Sequence, residues 1–81
     1  MSDWQAVLAH VRERSELANG RRLTFGPDAD VAEVARLARA ERACCSFFGF
    51  ALTVDDRGTA LEVRAPAAAQ TLLASLFGVA V

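Results

Sequence analysis

The residues of this chain that could do chemistry lie together in the stretch Glu41 to Phe50, ERACCSFFGF. Cys44 and Cys45 are its two cysteines, they are adjacent, and Glu41 precedes them by three and four positions. On a helix those offsets make neighbours, so one carboxylate faces two thiols from one turn away. Carboxylate with thiolate is a donor set that zinc accepts, whereas thiolates alone suit softer ions such as copper(I) and mercury(II). On a wheel of about 100° per residue, Val31, Val34, Leu37, Ala38, Cys45 and Phe48 make an apolar face, with Cys44 at its edge and Glu41 near its middle. A carboxylate aimed at a core needs a partner, because an unpaired buried charge is costly enough to force protonation.

Other readings of the same residues stand beside this one. Adjacent cysteines on a regular helix point about 100° apart, so one ion holds both only where the helix loosens, which Gly49 permits, or where another element supplies ligands. A place near a helix C-terminus raises a thiol pKa, which counts against a catalytic nucleophile. Free cysteine also packs as a small hydrophobe. Glu41 could equally pair with an arginine, and Phe47, Phe48 and Phe50 read as core. His10, the single histidine, sits on the flank of the first helix's apolar stripe. It reads as a solvated residue, and as a missing ligand if that helix packs near Cys44. No Ser/His/Asp arrangement and no glycine-rich phosphate loop can be assembled, so enzyme-type motifs are absent.

The elements that must position these residues follow from periodicity and punctuation. From Asp3 to Ala18, Trp4, Val7, Leu8, Val11 and Ala18 recur at helical spacing, with Ser2 or Asp3 as cap and Asn19-Gly20 as the stop; this predicts helix one. RRLTFG reads as a short strand before Pro27. Asp30 and Glu33 fit an acidic capping box that opens helix two, predicted from Val31 to about Phe48. FALTVDD, the turn Asp56 to Gly58, and TALEVRA read as a hairpin, and Pro66 starts a last helix that Gly78 stops. The order α-β-α-β-β-α predicts an α+β, two-layer sandwich in which helices cover a three-stranded, mainly antiparallel sheet.

Composition bounds the rest. The 81 residues make a single small domain, 1–81, at a size where one core supplies only a few kcal/mol of net stability. With 53% apolar residues, 23% charged residues and a formal net charge of −1, the chain folds and offers no basic surface for nucleic acid. No run approaches the ~18 apolar residues of a membrane span. The start, MSDWQAVLAHVRERSE, shows no signal-peptide pattern. The expectation is a cytoplasmic protein with reduced thiols.

The string Glu41, Cys44, Cys45, Phe48 and Phe50, the AP before the last helix and the LFG at its end resemble the C-terminal, effector-receiving part of MerR-family regulators. The likeness is to the heavy-metal-responsive group of high-GC bacteria, and it covers most of the chain. The resemblance implies a metal-binding or sensing module with Cys44 and Cys45 as thiol ligands and Glu41 as a third. The winged helix of such regulators has no counterpart here, so direct DNA contact is not implied, nor is mercury specifically, whose thiols in that family lie elsewhere. The resulting expectation is a thiol module for a soft or borderline metal ion, compatible with a homodimer that contributes ligands from each chain. A small thiol redox protein, and a structural or dimerisation domain with packed cysteines, remain the alternatives.

Overall fold

The computed structural model describes residues 3–77. The expected roles of Ser2 as a cap and Gly78 as a stop lie outside the described residues, as does the side chain of Asp3. The first helix, α1, is short, Asp3–Leu8, and carries Trp4 and Val7 into the core. After a turn closed by His10 N–H donating to the Val7 carbonyl at 3.0 Å, the chain becomes β1, Val11–Leu17. It then reverses through Ala18 and Asn19 into β2, Gly20–Phe25. Asn19 has φ 62°, a left-handed conformation that asparagine tolerates better than most residues. Asn19-Gly20 is therefore a hairpin signal, not a helix stop.

This corrects the expected sheet. It has four strands, not three, and the element order is α-β-β-α-β-β-α with a 3-10 turn before the last helix. The α+β class holds. What misled the period is the junction: Trp4, Val7 and Leu8 belong to α1, and Val11, next in the helical spacing, already begins β1. A bulge between Val11 and Glu13 also shifts the register at the start of this edge strand.

Asp30 caps α2, Val31–Cys44, by accepting from the Glu33 amide at 3.2 Å. Glu33 does not complete the box; its carboxylate pairs with Arg36 at 2.7 Å. The hairpin follows as β3, Gly49–Asp55, and β4, Gly58–Arg64. A 3-10 turn over Ala67–Ala69 then leads into α3, Gln70–Phe77. Gln70 ties the start of α3 to the first hairpin by donating to the Asn19 carbonyl at 2.9 Å and the Ala65 carbonyl at 2.7 Å.

The sheet order is β1-β2-β4-β3 with every neighbouring pair antiparallel. Leu23 and Phe25 of β2 and Leu61 and Val63 of β4 meet Val34, Leu37 and Ala38 of α2 and Leu73 and Phe77 of α3 in one core. By alternation, Arg22 and Glu62 stand on the opposite face, where they pair at 2.6 Å. At Gly20 the β2 backbone runs so close to β4 that a Cβ would lie 2.0 Å from the Val63 carbonyl oxygen. Only glycine fits that approach.

Candidate thiol site at the end of the second helix

Helix α2 stops within the cysteine pair, earlier than its composition suggests. Cys44 is its last residue and Cys45 its C-cap, with φ −128° and ψ 85°. The break is held by backbone bonds on both sides: the Cys45 amide donates to the Glu41 carbonyl at 2.6 Å, and the Phe48 amide to the Cys45 carbonyl at 3.2 Å. Arg42 fastens the following loop by donating to the carbonyls of Ser46 and Phe48. The turn is required because Phe48 goes fully into the core, against Phe50 at 6.1 Å and Phe77 at 6.0 Å between ring centroids. A helix continued through Phe48 could not also begin β3 at Gly49.

The consequence for the thiols is direct. Since the backbone leaves the helix at Cys45, the angular separation of adjacent side chains on a regular helix no longer applies. Cys44 is exposed, and Cys45 is half-buried against the core. Desolvation, then hydrogen bonding to Cys44 and Glu41 and the negative charge those groups carry, push the Cys45 thiol up to about 11. Cys45 is thus a protonated thiol at neutral pH and a poor thiolate nucleophile.

Glu41 has the partner its position demands, and among the described residues that partner is not an arginine. The indole Nε1–H of Trp4 donates to Glu41 Oε1 at 3.1 Å. Trp4 is itself fixed, stacked on Phe50 at 6.0 Å and edge-on to Phe77 at 5.0 Å. Helix α1 therefore reaches the site through Trp4. The sequence reading placed Trp4 only in an apolar stripe and missed this role. The signal was available: a buried tryptophan must place its N–H, and the one tryptophan and the one carboxylate on an apolar face are each other's solution.

The other expected residues divide. Phe48 is core and Phe50 packs against it, but Phe47 is 45% exposed, a correction to its reading as core. His10 is not brought to the cysteines. It pairs with Asp28 at 3.3 Å, just before the first turn of α2, while Cys44 ends that helix. Fourteen residues of helix separate the two ends by about 20 Å. Among the described residues no three of the His, Cys, Asp and Glu side chains converge into a set that could hold a metal ion. What the fold brings together is a vicinal thiol pair, one carboxylate beside it, and an indole that orients the carboxylate. No helix among the described residues is long and apolar enough to cross a membrane. Comparison with known proteins finds no protein-family model, no curated protein and no solved structure that matches the chain.

Proposed function

We propose that this domain is a thiol-based module that binds a soft or borderline metal species, and that Cys44 and Cys45 act on it together. The observation that carries the reading is the termination of α2 at Cys45, which frees the two adjacent sulfurs from the angular separation that a continuous helix would impose. Soft centres select sulfur donors, and the half-apolar surroundings limit competition from water. Glu41 is the neighbouring carboxylate, held by Trp4. His10, at the far end of α2, has no part in this proposal. The resemblance of the Glu41 to Phe50 segment to the effector part of heavy-metal-responsive MerR regulators points to the same role. It suggests sensing or buffering in the cytoplasm, where thiols stay reduced.

The raised Cys45 pKa weighs against the redox-enzyme alternative, which needs a ready thiolate. It also predicts how binding depends on pH. A divalent ion must displace the thiol protons, so uptake releases protons and strengthens as pH rises. Native mass spectrometry of the reduced protein with zinc, copper(I), mercury(II), cadmium and arsenite tests the proposal. The expected result is stoichiometric uptake of at least one of these species that Cys44→Ala and Cys45→Ala each remove. Uptake of the same stoichiometry by the double variant Cys44→Ala/Cys45→Ala refutes it.

A further inference from the structure

Resting on the thiol-module reading, we propose that the species this site is built to take is a trivalent metalloid hydroxide of the arsenite and antimonite class, chelated by Cys44 and Cys45 within one chain. The argument is one of coordination number and shape. The site offers two sulfurs, and among the described residues no third His, Cys, Asp or Glu closes a set around a common point. Zinc in a protein site takes four donors, so the pair leaves it half-coordinated. Copper(I) and mercury(II) are satisfied by two sulfurs when these stand on opposite sides of the ion. Thiols on consecutive residues hang from α-carbons only about 3.8 Å apart, so within one chain they approach a common centre from the same side. A pyramidal trivalent centre fits both limits, since it accepts two sulfurs at a small angle and brings its own hydroxyl as the third ligand.

The chemistry balances without a further reagent. Two As–O bonds of arsenous acid break and two As–S bonds form. Each thiol proton leaves with a departing hydroxide as water, and arsenic remains trivalent throughout. The placement is suited to the reaction: Cys44 is exposed and can engage first, and Cys45, half-buried beside it, then closes the ring.

Sodium arsenite and antimony potassium tartrate are added to the reduced chain, with zinc, copper(I) and mercury(II) in parallel, and adducts are read by native mass spectrometry. The expected result is one arsenic per chain in a monomer mass that corresponds to loss of two water molecules. A dithiol such as 2,3-dimercaptopropanol should reverse it, a monothiol should not, and either Cys44→Ser or Cys45→Ser should abolish it. Circular dichroism on each variant establishes that the fold is kept, and the exposed Cys44 provides a variant that does not disturb packing. Cysteine-dependent uptake of zinc, copper(I) or mercury(II) without an arsenic adduct overturns this inference and leaves the thiol-module reading standing. Failure of every species to bind overturns both. Arsenic that bridges two chains, or that persists in a single-cysteine variant, refutes chelation by the pair.

Discussion

Removing the indole N–H from Glu41 should couple the first helix to the thiol site in a measurable way. Trp4→Phe keeps an aromatic ring against Phe50 and Phe77 but deletes the donor that sits 3.1 Å from Glu41 Oε1. A hydrogen bond to a charged group contributes about 1.5–3 kcal/mol. Trp4 is only 7% exposed, but Glu41 is partly open to solvent, so water can replace some of what is lost. The expected value is then near the bottom of that range, about 1.5 kcal/mol. Loss of the larger ring's packing adds roughly 1 kcal/mol. Glu41→Ala removes the acceptor and leaves the indole N–H without its partner. In a double-mutant cycle of Trp4→Phe with Glu41→Ala, the packing loss cancels and the coupling should be about 1–1.5 kcal/mol. The cycle is read by urea denaturation followed by far-ultraviolet circular dichroism, because Trp4→Phe removes the single tryptophan. With a slope of roughly 1 kcal/mol/M for a domain of this size, Trp4→Phe alone should lower the midpoint by about 2.5 M. A coupling within about 0.3 kcal/mol of zero would show that the two groups are independent, and the view that α1 orients the site's carboxylate would fall with it.

Two further outcomes follow from the geometry. The Cys45 thiol is raised in the folded protein from an ordinary value of 9.0 to about 11, so the unfolded chain loses that proton first. Its contribution to stability is complete below pH 9 and is lost as pH climbs to 11; the melting temperature should fall across that window, and less steeply in Cys45→Ala. Gly20→Ala would place a Cβ 2.0 Å from the Val63 carbonyl oxygen. Relief requires separating β2 from β4 at the Gly20–Arg64 pair, at a cost of about 3 kcal/mol or more, which thermal denaturation should register as a large drop in midpoint or as loss of the folded state. A melt unchanged from the parent would mean that the strands do not approach as closely as described.

Where the fold was legible, a local signal and the tertiary outcome agreed. The Asp30 cap and the β3–β4 hairpin around Asp56 and Arg57 lie where their residues demand, whereas Pro66 opens a 3-10 turn over Ala67–Ala69 and α3 itself begins at Gln70. Where it was not, two levels disagreed. VRERSEL carries apolar residues only at its two ends, six positions apart, because β1 is an edge strand with little to bury. Its charged residues suit an edge that must not pair with another chain, and they also erase the alternation by which a strand is recognised. Val11, three residues after Leu8, then carries the helical spacing of α1 into the strand. Asn19-Gly20 carried the correct answer, since that dipeptide is a stronger hairpin signal than a helix stop when another β-like run, RRLTF, follows directly.

The site shows the same division at the scale of single residues. That Glu41 needed a partner could be argued from its place on an apolar face, and the choice lay between sulfur and arginine. The fold's answer is a third group, because α1 lays Trp4 beside Glu41. Arg42, the next residue, points away from Glu41 on the helix and is occupied with the carbonyls of Ser46 and Phe48, which fastens the loop after α2. Glu41 is left to Trp4. Helix periodicity could not foresee this, because the chemistry of the pair depends on where the helix ends, and the end is set by the burial of Phe48. A substitution that kept both cysteines but let α2 run on through Ser46 would return the thiols to their helical separation, so the proposed chelation should fail in it although both cysteines remain.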